Sequence, residues 1–180
     1  MRAVAVLSFD CKGKTKWLMV KRPNDGLLAS QWEFPSVVVS SLVGKATEVV
    51  VDKRTVLLDS FLEDICTDAP NFVIEGIRNS REQLVEPVEH IFSHVRHTSW
   101  IEYKHAPLTA KIDESSPLKW TAFELLGKPQ EVSLMSAEDM KSVGITAEVK
   151  KILNYVTKES SRRSTPSKNK SNKKGKNRKL

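Results

Sequence analysis

Apolar and polar positions alternate along the chain in short blocks. Ala3 to Phe9 is an apolar run that stops at Asp10, passes through the turn-prone CKGK and resumes as the strand-like Lys16 to Arg22. Two such runs around a glycine predict a β-hairpin with Gly13 at its tip. Residues 23–35, bracketed by Pro23 and Pro35, are irregular and predict a long ordered loop before the β-rich Ser36 to Val39. From Asp52, a candidate N-cap, Val56, Leu57, Phe61 and Ile65 fall near one stripe while Arg54, Asp59 and Glu63 lie elsewhere, which predicts a helix over 52–65. Between Glu86 and Tyr103 the pattern alternates as one or two strands, with Val95, His97, Ser99, Ile101 and Tyr103 on one face and Arg96, Thr98 and Trp100 on the other. A loop over 105–117, a short strand over 118–123 and a last helix from Thr146 to Thr157 follow, the helix carrying Val149, Ile152, Leu153 and Val156 at helical spacing. Trp32, Phe34 and Trp120 are candidate core residues. Strands, a helix, more strands and a terminal helix define a mixed α/β sandwich.

Composition narrows this. With 180 residues, 39% hydrophobic, the chain supports one domain with a tail and is too apolar for global disorder. Two cysteines, Cys11 and Cys66, are too few for a disulfide framework or a four-cysteine metal site, and a reducing compartment is expected. No apolar run approaches the roughly 20 residues of a membrane span, so no membrane association is expected.

Charge is unevenly placed. The net charge is +7, but residues 158–180 hold ten Lys and Arg against Glu159 alone, a local +9. The remaining 19 basic and 21 acidic residues leave 1–157 at −2. The division is therefore a folded domain over 1–157 and a disordered basic tail over 158–180. Any nucleic-acid contact by the body must come from a local patch. The tail reads as a nuclear import signal, a non-specific DNA tether or a solvated appendage.

Two words carry chemistry: Arg22-Pro23-Asn24-Asp25-Gly26-Leu27-Leu28-Ala29-Ser30-Gln31-Trp32-Glu33-Phe34-Pro35 and, further on, His90-Ile91-Phe92-Ser93-His94. Both resemble the C-terminal domain of the MutY family of adenine DNA glycosylases, where the first typically reads RPxxGLLAGLWEFP and the second is a Phe-Ser-His loop. With the similar terminal helix ITAEVKKIL, the resemblance spans roughly residues 3 to 157. It implies a Nudix-like mixed α/β sandwich that recognises 8-oxoguanine opposite adenine in duplex DNA. It also implies a catalytic domain outside this chain that excises the adenine.

The resemblance places the lesion contact at Ser93, with Phe92, His94 and Arg22 as further lesion- or DNA-binding candidates. The chemistry suits a hydroxyl: 8-oxoguanine gains a hydrogen on N7 and a carbonyl at C8, and Ser93 can accept from one or donate to the other. Phe92 wedges beside the duplex or packs beneath the loop, His94 donates or braces, and Arg22 meets phosphate or pairs with Glu33. A zinc site at His90, His94 and His97 is not expected, because on one strand His97 faces away from the other two.

Departures from hydrolytic Nudix domains point away from catalysis. Arg54 is followed by Thr55, and Leu58-Asp59 stands where a Glu-Glu pair helps hold Mg²⁺, so no carboxylate cluster is expected. No cofactor is expected in this chain. The 4Fe-4S cluster of relatives belongs to their catalytic domain, whose four cysteines have no counterpart here. The chain alone is expected to be inactive and monomeric, with its partners being 8-oxoguanine:adenine duplex and the glycosylase's catalytic domain. Nuclear location is expected, with the mitochondrion second. Mammalian relatives carry a clamp-binding peptide with Gln and paired Phe, which residues 158–180 lack. The rival functions are a Nudix hydrolase of oxidised nucleotides and a repair-protein interaction module.

Overall fold

Strand β1, Arg2–Cys11, is apolar on both faces, as a strand covered on both sides must be. It lies in the middle of the sheet. In the computed structural model, residues 12, 40–46, 79–80, 85, 93–94, 107–117, 123–128 and 164–180 are outside the description, and residues 47–52, 92, 95 and 160–163 are described by backbone alone. Along one edge β1 runs parallel to β7, Val95–Ala106, from Arg2 opposite Ser99 to Phe9 opposite Ala106. Its other edge is shared. The C-terminal half pairs with β2, Lys14–Lys21, and the N-terminal half with β4, Ser36–Val38. Cys11 opposes Lys14 across the hairpin, and Gly13 takes the left-handed φ of +75° that such a tight turn requires.

The remaining strands are β3 (Trp32–Glu33), β5 (Glu82–Gln83), β6 (Val88–Phe92), β8 (Lys119–Ala122) and β9 (Gln130–Met135). The sheet order is β5-β7-β1-β2-β9-β8, with β3 beside β2, β4 beside β1 and β6 beside β7. On one face, Ala3, Ala5, Leu7 and Phe9 pack with Leu18 and Leu134 beneath α1 (Thr47–Ile65) and α2 (Asn71–Arg78). On the other, Val4, Val6, Met19 and Ile101 pack with Trp32 and Phe34 beneath α3 (Ala137–Ser142) and α4 (Ala147–Arg163). The expected α/β sandwich is thus three layers around two separate cores.

Several boundaries differ from the pattern. Helix α1 begins at Thr47, so Asp52 is an interior position rather than the N-cap. Its buried stripe is Leu58, Phe61, Leu62 and Ile65, while Val56 and Leu57 are exposed. The helix ends where the Trp120 indole donates to the Ile65 carbonyl at 2.8 Å, giving a terminal acceptor a partner. The stretch 86–103 resolves into two strands with the predicted alternation, Ser99 and Ile101 being buried on the α4 side. Helix α4 continues past Thr157 to Arg163, so the first six residues assigned to the tail are helical, and 164–180 lie outside the described residues. The pattern predicts neither strand β9 nor helices α2 and α3.

Candidate nucleic-acid interface

The first word forms a closed loop standing on β2. The Arg22 amide donates to the Gln31 carbonyl at 2.8 Å and the Ser30 amide to the Pro23 carbonyl at 2.9 Å, so the loop ends meet. Inside it, Gly26, Leu28 and Ser30 all have left-handed φ angles, of 83°, 61° and 60°. For leucine and serine that conformation is unfavourable, and the surrounding contacts must hold it. The Ser30 hydroxyl donates to the Asn24 side chain at 2.7 Å, and the Trp32 amide to the Gly144 carbonyl at 2.8 Å, which pins the loop to the α3–α4 connection. Trp32 and Phe34 are buried, as expected, and between them Glu33 is left facing Arg22 and Arg2. Leu27, at 72% exposure, projects from the loop.

The second word sits on the β6–β7 hairpin. Phe92 opposes Val95, so the strands join through positions 93–94. Ser93, His94 and the Phe92 side chain lie outside the described residues. Strand register places the strands that flank both words at one end of the sheet: β1 starts, β2 ends, β4 ends and β7 starts there, so loop 22–31 leaves from the end at which β6 finishes and β7 begins. His90 pairs directly with His97, which corrects the expectation that the two face opposite ways, since the chain turns back between them. Among the described residues no group of three His, Cys, Asp or Glu is placed to hold a metal ion.

Beneath this end lies a charge network of which the sequence suggests only the Arg22–Glu33 pair. Glu33 accepts from Arg22 at 2.9 Å and from Arg2 at 3.4 Å. Arg2 also reaches Ser36 and, at 3.5 Å, Glu148 in the first turn of α4. The carboxylate of Glu148 accepts from the buried Ser99 hydroxyl of β7, with His97 Nδ1 at 3.7 Å. The positive N-terminal end of α4 further favours a carboxylate at Glu148. Arg22, a DNA-contact candidate, is therefore paired with Glu33 and 30% exposed.

A second polar cluster lies across the sheet, under α1. The Arg54 guanidinium stacks 4.3 Å from the Trp100 ring centroid, and burial lowers its pKa against the opposing pull of Glu102. Thr55 donates to Glu102 at 2.8 Å, and Arg81 bridges Glu102, at 3.0 Å, to Asp59. Lys104 is also lowered by burial, with Arg81 adding to the effect. Beside this cluster a cleft of about 610 Å³ is bordered by Thr55, Asp59, Arg78 and Arg81. A magnesium ion does not fit here: Thr55 and Leu58 supply no carboxylate, Arg81 is bonded to both Asp59 and Glu102, and among the described residues Asp59 and Glu63 on the cleft wall belong to no group of three that could hold an ion. An iron–sulfur cluster does not fit either, because the chain's two cysteines, Cys11 and Cys66, are half of the four thiolates that a cluster takes. Ser8, His105 and Asp10 also line up, at 2.9 Å and 3.2 Å, but Ser8 is 1% exposed and no substrate can reach its hydroxyl.

These features define a Nudix-like domain without the metal-binding carboxylates of the hydrolases. No protein-family model matches the chain. Its sequence is similar to an adenine DNA glycosylase of Arabidopsis thaliana, 30% identical over 147 residues that cover 76% of this chain and 20% of that protein. The chain thus spans about a fifth of that relative. The resemblance carried by the two words is borne out. Among solved structures, the C-terminal domain of mouse MUTYH, in complex with human PCNA, superposes with a TM-score of 0.51 at 21% identity, covering 91% of this chain and 90% of that one. The NUDIX domain of Shewanella oneidensis NrtR, complexed with ADP-ribose, gives 0.53 at 14% identity over 88% and 86%. Both establish the fold.

Proposed function

We propose that this chain is the 8-oxoguanine-recognition domain of an adenine DNA glycosylase, acting in base excision repair of 8-oxoguanine:adenine mispairs. The observation that carries this reading is the convergence of the two glycosylase-like words, distant in sequence, at one end of the sheet. Ser93 is assigned the lesion contact, His94 a supporting donor or brace, Phe92 a wedge or anchor, and Arg22 the phosphate side, from the exposed part of its side chain while it stays paired with Glu33. Adenine excision belongs to a catalytic domain, with its iron–sulfur cluster, outside this chain. That domain extrudes the adenine while this one verifies the opposite base. The basic tail supports nuclear import or DNA tethering. No cofactor is assigned to the chain, and it acts as a monomer.

The test is binding of the full chain to 8-oxoguanine:adenine and guanine:adenine duplexes at one salt concentration, because phosphate contacts contribute equally to both. The lesion duplex is expected to bind more tightly. Ser93→Ala should reduce that preference by about two- to tenfold, the worth of one hydrogen bond. Equal affinity of the wild-type chain for both duplexes, or an unchanged ratio in the Ser93→Ala, His94→Ala double variant, overturns the assignment.

A further inference from the structure

The two words that define the recognition end are linked through Arg2, Ser99 and Glu148, which belong to neither, and through Glu33 and Arg22 of the first. From the hairpin side, Ser99 donates to Glu148. Glu148 accepts from Arg2, Arg2 donates to Glu33, and Glu33 accepts from Arg22. Ser36, on β4, takes a further donor from Arg2. The relay thus crosses four strands and a helix in the space between the loop's base and the start of β7. Its inner links are well shielded: the Arg2 and Glu148 side chains are 17% and 10% exposed, and Ser99 is fully buried.

We propose that Arg2, Glu33 and Glu148 are positioning residues: together they fix loop 22–31 against the β6–β7 hairpin, and so set selectivity at the recognition end without touching the ligand. The proposal rests on the function assigned above. Three features support it. Arg2 holds two carboxylates, one on the loop-bearing segment and one on α4, so it fixes a distance between elements, where a single pair would tie down only two atoms. Glu148 grips the strand that leads into the hairpin turn, at Ser99, and lies near His97 two residues closer to that turn. The loop itself holds two non-glycine residues at left-handed φ, a conformation that persists only under external restraint. A hairpin extending beyond its neighbours and a strained loop would otherwise move independently.

Two measurements on the full chain separate this inference from the function it rests on. The first needs no DNA. In amide hydrogen exchange, Glu148→Gln keeps an acceptor for Ser99 but loses the charge facing Arg2. It is expected to speed exchange at 24–31 and at 95–98 together, leaving β8 and β9 unchanged. Glu33→Gln, on the more exposed outer link, should do the same at the loop and guards against loss of fold in the first variant. Changes confined to the first turn of α4 in Glu148→Gln, or to residues beside position 33 in Glu33→Gln, overturn the network. The second measurement is the ratio of affinities for 8-oxoguanine:adenine and guanine:adenine duplexes. Glu148→Gln is expected to lower it by about three- to tenfold, with little further loss when Ser93→Ala is added. Losses that multiply independently, or a ratio unchanged in both network variants while Ser93→Ala lowers it, overturn the positioning role and leave the recognition assignment standing. A wild-type chain with no preference for the lesion defeats that assignment, and with it the selectivity claim, while the exchange experiment still decides the network.

Discussion

Arg81 is the residue on which the α1 side of the sheet turns. Its guanidinium is 3% exposed and faces two carboxylates of very different character: Glu102, 5% exposed, and Asp59, 48% exposed. An ion pair open to water contributes little, about 0–1 kcal/mol, whereas a buried charge stripped of its partner is expensive. The bond to Glu102 therefore dominates. Arg81→Ala is expected to destabilise the chain by about 3–5 kcal/mol in urea unfolding, while Asp59→Asn should cost less than about 1 kcal/mol. Equal losses would show that burial of Glu102 does not govern the site. Half of this cluster is legible in the sequence. Thr55 and Leu58 stand out because they break the run of glutamates that the resemblance to Nudix hydrolases leads one to expect. Arg81 and Glu102 carry no such signal, because they are 21 residues apart and Glu102 is 47 from Thr55, so only the folded sheet brings them together. The same holds for Arg2 and Glu148, 146 residues apart.

Among the elements, α2 shows how packing overrides propensity. Gly76 sits in its middle, where alanine would favour the helix by about 1 kcal/mol. A methyl group there would overlap the ring of Phe9 on β1, which is buried and held edge-on by Phe72 at a centroid distance of 6.1 Å. Overpacking of this kind costs about 1–3 kcal/mol, so, set against the helix gain, Gly76→Ala is expected to lower stability by up to about 2 kcal/mol, read as a reduced thermal midpoint. A raised midpoint would mean that the ring can yield. Strand β1 and its hairpin are legible because an unbroken apolar run and a turn glycine are local features. Helix α2 escapes the pattern since eight residues interrupted by a glycine resemble a loop, although Ile77 and Val73 fall four apart on its buried side. On α1 half of the predicted stripe holds: Phe61 and Ile65 are buried, whereas Val56 and Leu57 fit a helical period but are exposed, and Leu58 and Leu62 take their place against the sheet. Helix α3 also escapes it, even though Ser136 and Asp139 form a capping box whose spacing is visible in the sequence.

For the molecule as a whole, charge and fold are separated. The body over 1–157 carries −2 and the segment 158–180 carries +9, so bulk attraction to a polyanion resides at the C-terminus, while discrimination is assigned to the recognition end. Deleting residues 164–180 removes seven basic residues and no acidic one. It is expected to flatten the dependence of duplex affinity on salt, by about 0.9 in the log–log slope for each phosphate no longer neutralised, with the lesion preference unchanged. A slope that stays the same would show that the segment does not touch DNA. The chain's other terminus has a different geometry. Met1 is not a loose end: its carbonyl accepts from the Val39 amide at 3.0 Å, and the next residue already lies in the central strand, between β4 and β7. A domain joined to Met1 by a short linker would therefore leave the fold beside loop 22–31 and the β6–β7 connection. Its encounter with a duplex held there becomes intramolecular, at a local concentration on the order of millimolar, and linker length would govern how often the two halves engage one base pair together.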